Sequence, residues 1–332
     1  TEPVAAASIA QVHKAQINDN GTIKDVAIKI LRPNIKKIFN DEIDAIMLFA
    51  FLVESFIKKT KRLKLIEVVF LLKEITNHEM DLRFEAAAAK VKEEPCVSYL
   101  GITSSGHYVK MIHNGIEYAI MQLISENYHV LKYGLKRSND EIHKIFKSWN
   151  EGLLESYLVE ISRDIFKAKD RETGSDLIDI ILDKAKQKGT GKWTSQSAMD
   201  FGVSIPTIDS SVSMRIISSF KDLRIKGENI FGNKEIDDKS IKVDDIEKSL
   251  LFSFIVSFAQ GLSQLKVASD EKSYNLNFEE ICKIWRGGCI IRAKLLENFM
   301  KAFKRNNELS NLLFDDEISS IVKGSIDSAR KV

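Results

Sequence analysis

Five side chains able to hold a ligand or move a proton stand at i, i+3, i+4, i+7 and i+8 in GHYVKMIHNGIEYAIMQL: Lys110, His113, Asn114, Glu117 and Tyr118. At about 3.6 residues per turn they share one helix face. Val109, Met111, Ile112, Ile116, Ala119, Ile120 and Met121 fill the positions between them. The other faces of this helix are therefore expected to be buried, leaving the polar side chains to converge on something held in a partly buried pocket. An ammonium and a carboxylate two turns apart suit proton transfer at two different atoms of one substrate. For Lys110 to accept a proton near neutrality its pKa must be brought down, and burial behind the apolar helix is expected to do this.

A second cluster lies in QKGTGKWTSQS, residues 187–197. Lys188, Thr190 and Lys192 place two cations and a hydroxyl around Gly189 and Gly191, whose amides are expected to approach an anion, most naturally a phosphate. The segment is not a Walker A loop. That motif needs four residues between its glycines and a Ser or Thr directly after Gly-Lys, whereas Trp193 follows Lys192. Arg215, in SVSMRIISSFKDLR, belongs to the next helical stretch, and its guanidinium can close a fork on the same phosphate.

From about Ala88 onward the chain resembles the back half of decarboxylating 6-phosphogluconate dehydrogenase. EEPCVSYLG, GHYVKMIHNGIEY, KSWNEGLLESYLVEIS, KQKGTGKWTSQSAMDFGVSIPTI, RIISSFKDLR, FAQG, WRGGCIIR and NLLFDD carry the resemblance in order. It implies an all-helical domain acting on 6-phosphogluconate in the pentose phosphate pathway, with NADP as cofactor and a homodimer joined through that domain. It also implies roles. Lys110 is then the base on the 3-hydroxyl and later the acid on the ketone oxygen, and Glu117 protonates the carbon that has lost carbon dioxide. His113 and Asn114 hold the carboxylate and hydroxyls, while Tyr118, Lys188, Thr190 and Arg215 hold the phosphate.

The front of the chain has a different pattern. EPVAAASIAQVHKAQI and TIKDVAIKILRP are two strand-like runs around NDNG, where Asn20-Gly21 is a hairpin signal. They resemble the nucleotide lobe of a protein-kinase-like domain, and Ala5, Ala6, Ala7 and Ser8 in place of a glycine-rich loop resemble the UbiB-type atypical kinases linked to ubiquinone metabolism. HEMDLRFEAA then falls on that family's acidic motif. By this resemblance Lys29 meets nucleotide phosphates and pairs with Glu79.

Neither pattern runs to completion in these residues. The kinase-like part stops near Ala89, before any catalytic-loop aspartate or metal-binding DFG-like motif. The dehydrogenase part begins after its dinucleotide-binding domain, since no G-x-G-x-x-G follows a strand, and ends at SARKV before the tail that reaches the neighbouring subunit. EAAAAKVKEEPC satisfies both patterns at the junction and contains no linker, which reads as two joined gene fragments. The expectation is an inactive substrate half of the dehydrogenase. The alternatives are a UbiB-like kinase or ATPase fragment, and a non-catalytic helical remnant that binds sugar phosphate or dimerises.

The elements that must position these residues are expected to be mainly α: an all-helical domain at 90–332, preceded by a small α+β kinase-like fragment at 1–89. Four prolines and sixteen glycines in 332 residues permit long helices. Strands are expected at 7–17, 23–31 and 96–100. Helices are expected at 35–58, 64–90, from Ser104 or Ser105 to Tyr133, then at 139–150, 151–169, 176–186, 194–202, 206–226, 244–268, 278–286, 289–304 and 317–330. Asp140, Thr194, Ser204 and Asp244 are the expected starts, and 227–243 the main surface loop. A net charge of +2 with interspersed signs offers no broad footprint for nucleic acid. Cys96, Cys282 and Cys289 lack metal-ligand spacing and point to reduced thiols in a cytoplasmic setting. The most apolar stretch, Ile46 to Val53, is too short to span a bilayer.

Overall fold

A computed structural model describes residues 5–6, 10–19, 22–56, 64–79, 90–92, 94–101, 104–232 and 240–332. The chain divides into two compact units, Thr1–Lys90 and Val91–Val332.

In the first unit β1 (Ala5–Ala6), β2 (Ala10–Asp19) and β3 (Thr22–Leu31) form an antiparallel sheet in that order. Ala5 faces Val12 and Lys29 also faces Val12, one on each side of β2. Arg32-Pro33-Asn34 leads into α1 (Ile35–Phe56), which packs against α2 (Leu65–Glu79) through Ile43, Ala50 and Val69. The Ala5–Ala6 pair is thus strand, whereas Ala7, Ser8 and the Asn20-Gly21 turn lie outside the described residues. Glu79 closes α2, and its side chain, like its expected pairing with Lys29, lies outside them too.

The second unit opens on the short strand β5 (Glu94–Pro95), paired with β4 (Lys90–Val91). Residues 96–100, expected as strand, are irregular. The unit is built around two helices, α3 (Ser105–His129) and α10 (Val243–Glu271). Their apolar stripes meet: Ile112, Ile116 and Ile120 from α3 and Phe254, Phe258, Leu262 and Leu265 from α10 are almost wholly buried in one core. At about 1.5–3 kcal/mol per large aliphatic or aromatic side chain, this seam is a principal source of the unit's stability. The helices cross closely at Gly261, where a methyl group would sit 2.6 Å from Ile116 Cδ1 and 3.2 Å from Ile112 Cγ2. α10 is long and apolar enough to cross a membrane by length and composition, unlike the shorter Ile46–Val53 run, but more than half of its apolar stretch is buried inside the protein.

Around this pair lie α4 (Asn139–Trp149), α5 (Tyr157–Lys167), α6 (Leu177–Ile180), α7 (Thr190–Asp200), α8 (Pro206–Ser219), α9 (Lys221–Phe231), α11 (Phe278–Trp285), α12 (Leu295–Arg305), α13 (Asp316–Lys323) and α14 (Ile326–Lys331). Several boundaries differ from those the sequence suggests, for local reasons. α3 does not run on to Tyr133 as an α-helix but widens into a π-turn over Val130–Gly134. α4 is capped by Ser138, in a reciprocal box with Glu141, rather than by Asp140. α5 starts at Tyr157, capped by Ser156, whose hydroxyl accepts from the Val159 amide, and 150–154 is turn. The helix expected at 176–186 shrinks to one turn, and 181–188 runs as irregular chain.

α7 starts at Thr190, not Thr194, because Gly189 turns into it at φ +112°. Pro206 supplies the first turn of α8 in place of a Ser204 cap. The long 206–226 helix divides at Phe220, and α9 continues to Phe231 within the expected loop, ending at Gly232 with φ +71°. Residues 233–239 lie outside the described set. α10 begins with Asp245 accepting from the Lys242 amide, α12 starts only at Leu295, and Gly324-Ser325 separates α13 from α14.

Gly261→Ala forces that crossing apart. Overpacking of this kind costs about 1–3 kcal/mol, and thermal unfolding should show the loss. An unchanged melting temperature would mean that α3 and α10 give way freely at this point.

Candidate functional site

Helix α3 presents the predicted stripe in graded burial. Val109, Ile112, Ile116, Ala119 and Ile120 face the core, Tyr118 and His113 are buried, Asn114 and Glu117 half-buried, and Lys110 exposed. The expectation that burial falls on Lys110 is thereby corrected. It falls on His113, 1% exposed, because residue 113 lies beside Ile112 and Ile116 while residue 110 sits at the rim.

The polar end is one connected cluster. Lys110 Nζ is 3.3 Å from His113 Nδ1, which is 3.0 Å from Asn114 Oδ1 and 4.0 Å from Glu117 Oε2. The edge of Trp285 in α11 closes over the imidazole, with ring centroids 5.8 Å apart at 73°. In a neutral ring Nδ1 has one role, as acceptor from the Lys110 ammonium or as donor to Asn114. The first role leaves the proton on Nε2, which is buried with no partner among the described residues. Burial is also the main reason that the His113 pKa falls to about 4, with the Lys110 charge adding to it. Glu117 moves the other way: burial raises its pKa, and the positive charges of Lys110 and Arg215 hold the rise in check.

The anion-binding candidates gather at the other end of the stripe. Arg215, from α8, stacks over the Tyr118 ring with Cζ 4.9 Å from its centroid, and Arg215 Nη2 lies 3.7 Å from Met121 Sδ. Gly191 lies under the same ring, since a methyl group there would be 2.8 Å from Tyr118 Cε1. Tyr118, Arg215 and the first turn of α7 with Thr190 therefore meet. Lys188 is an exposed residue of the chain leading into that turn. The same approach segment lines a cleft of about 320 Å³ with Lys184, Lys186, Gln187, Arg215, Ile216 and Ser219. Gly189 is left-handed at φ +112°, whereas the need for glycine at 191 is steric.

That contact is half of a reciprocal pair. Where Tyr118 of α3 fills the notch at Gly191 of α7, Thr194 of α7 fills the notch at Gly115 of α3, its Cγ2 2.6 Å from where a methyl group would be. Thr194 is fully buried, and Gln264 of α10, equally buried, donates from Nε2 to the Thr194 carbonyl at 2.9 Å. In the sequence nothing singles out Gly115, Gln264 or Trp285, while Gly191 is taken only for its amide and Thr194 only as a helix start. The one local signal was the four-residue spacing of Thr190 and Thr194, which puts both on one side of a helix.

A sequence model described as 6-phosphogluconate dehydrogenase, C-terminal domain, matches residues 106–332, and the chain belongs to this family. Residues 1–100 match the ABC1 atypical kinase-like domain. Among relatives, the NADP-dependent, decarboxylating 6-phosphogluconate dehydrogenase of Bacillus subtilis is 50% identical over 252 residues, covering 75% of this chain and 54% of that protein. The decarboxylating enzyme of Lactococcus lactis subsp. cremoris is 49% identical over 254 residues, with the same coverage. The solved 6-phosphogluconate dehydrogenase of Plasmodium falciparum, described in apo form and with NADP+ or 6-phosphogluconate, aligns at a TM-score of 0.72 and 43% identity over 81% of this chain and 56% of its own. The chain spans about half the length of the curated relatives it matches.

His113 should make stability pH-dependent. Its folded-state pKa lies below the ordinary value of 6.5, so between about pH 6.5 and 4 the unfolded chain binds a proton that the folded chain does not. Stability then falls as pH falls through this window, with a slope approaching about 1 kcal/mol per pH unit. Glu117 works in the opposite sense, being stabilising when protonated and losing this as pH rises through its raised pKa. Urea midpoints at pH 7 and pH 5 should differ less in His113→Gln than in the unsubstituted protein. An equal drop in both would show that His113 titrates normally.

Proposed function

We propose that residues 90–332 form the substrate half of a decarboxylating 6-phosphogluconate dehydrogenase, and that the ligand is 6-phosphogluconate. The observation that carries this reading is the single face of α3, with a proton-transfer cluster at Lys110, His113, Asn114 and Glu117 and an anion cluster at Tyr118, Thr190 and Arg215. Lys110 and Glu117 are about 10 Å apart along the helix axis, at about 1.5 Å per residue, so they serve different atoms of one extended ligand.

The environments support the roles that the family resemblance implies. The exposed Lys110 takes the proton of the substrate's 3-hydroxyl as the amine and returns it, as the ammonium so formed, to the ketone oxygen left there. Asn114 and the neutral His113 bind hydroxyl and carboxylate oxygens. Glu117, whose carboxyl is held protonated to higher pH by burial, is suited to deliver a proton to carbon after carbon dioxide departs. Arg215, Thr190, Lys188 and Tyr118 take the phosphate, with Arg215 already oriented by the Tyr118 ring.

NADP, which accepts hydride when bound, is the cofactor proposed for the complete reaction. The described residues do not fit it: the three-stranded sheet is antiparallel, and β3 enters α1 through Arg32-Pro33-Asn34 rather than a glycine-rich phosphate turn. We therefore read this stretch as binding and orienting substrate, and residues 1–89 as a kinase-like segment joined ahead of it, without a complete set of groups for phosphoryl transfer. A second copy of the chain is the proposed partner. The exposed Ile217, Phe220, Leu223, Ile230 and Phe231 along the α8–α9 stretch support this, since large apolar side chains left in solvent suit an interface.

Calorimetric titration with 6-phosphogluconate and with unphosphorylated gluconate tests the reading. Arg215→Ala should cost about 1.5–3 kcal/mol of affinity for the phosphorylated ligand, against about 1 for Thr190→Val. Equal affinities for the two ligands in the unsubstituted protein would overturn the phosphate site.

A further inference from the structure

Thr194 makes one contact beyond what a threonine in a helix ordinarily makes. A buried helical threonine returns its hydroxyl to the carbonyl four residues back, and Thr194 Oγ1 does so to Thr190 at 2.9 Å. The same hydroxyl lies 3.1 Å from the Met111 carbonyl on α3, so its single proton is shared between two helices. Met111 directly follows Lys110, and helix geometry pairs its carbonyl with the amide of Gly115, the residue whose missing side chain makes room for the Thr194 methyl. The hydroxyl bonds the backbone beside the proton-transfer lysine to the backbone of Thr190, at the anion end. The Thr194 carbonyl is also engaged, by Gln264 Nε2, which in turn lies 3.3 Å from the Tyr108 hydroxyl. Tyr108 OH is 2.8 Å from Ser197 Oγ, a second tie between α3 and α7 one turn further on.

We propose that Thr194 is a positioning residue that fixes the register of α7 on α3, and so sets the separation between the anion-binding end and the proton-transfer end of the site. The ligand consequence rests on the substrate reading above; the register itself does not. A ligand that touches both ends feels the separation, whereas one that touches a single end does not. Selectivity for ligand length thus resides in a residue that contacts no ligand.

Two near-isosteric variants separate the parts of the contact. Thr194→Val keeps the methyl group in the Gly115 notch and removes the shared proton, while Thr194→Ser keeps the proton and removes the methyl group. Titrations use 6-phosphogluconate, gluconate and inorganic phosphate. Thr194→Val should weaken 6-phosphogluconate binding at least tenfold while changing the two single-end ligands less than threefold, and Thr194→Ser should bind 6-phosphogluconate within threefold of the unsubstituted protein. Equal weakening of all three ligands, or none, would overturn the proposal. Amide hydrogen exchange in the ligand-free protein judges the register separately. Residues 190–197 should exchange at least tenfold faster in Thr194→Val, but not in Thr194→Ser, with α11 unchanged in both. If the unsubstituted protein does not distinguish 6-phosphogluconate from gluconate, the substrate reading fails while the exchange result still decides the register. Unchanged protection in Thr194→Val would then sink it.

Discussion

The site depends on how closely two helices approach. α3 and α7 touch through a pair of glycines, each lying beneath a side chain of the other helix: Gly115 beneath Thr194, Gly191 beneath Tyr118. A single β-carbon at either place would enter space already filled at less than 3 Å. Interiors packed at such density do not slide, and this contact therefore converts two separate runs of sequence into one rigid surface. Lys110 and Glu117 belong to one partner and Thr190 to the other, while Arg215 is held on the Tyr118 ring that itself forms part of the contact.

Electrostatics is arranged on top of that frame. Along a single helix face exposure runs from high at Lys110 to nearly none at His113, and back to partial at Glu117. The buried imidazole is kept neutral, and the neighbouring carboxyl is made less acidic by the same burial, tempered by two cations. Groups with opposite demands on protonation are thus separated by depth rather than by distance. The helix needs only its position at the edge of the core to achieve this.

Much of this was legible in the chain. The α3 stripe could be read because helical periodicity is local, and the polar and apolar positions of Lys110 to Met121 alternate with the right period. The long α10 core helix and the break before it were also within reach of pattern. The α7 start was misplaced because a left-handed Gly189, not a hydroxyl cap, begins the helix. The 176–186 helix is drawn too long and 206–226 is left undivided because propensity does not register the irregular chain that bonds to α8 through Ala185 and Ser218, or the break at Phe220. The pairing of Thr194 with Gly115 and Met111 joins residues some eighty positions apart. No spacing rule reports a contact of that kind, so the glycine of GTG was read for its amide when its absent side chain mattered more.

α10 carries a further implication for how the unit is made. Its apolar stretch would pass for a membrane span if it stood alone, and it is covered by α3 on one side and by helices later in the chain on others. During synthesis α3 has left the ribosome more than a hundred residues before α10 emerges, so part of its cover is waiting while α13 and α14 are still to come. For that interval the nascent chain exposes a long, sticky surface, as partly assembled helical domains do. The order of elements along the chain limits this exposure, because the long apolar helix is made after one of the partners that cover it.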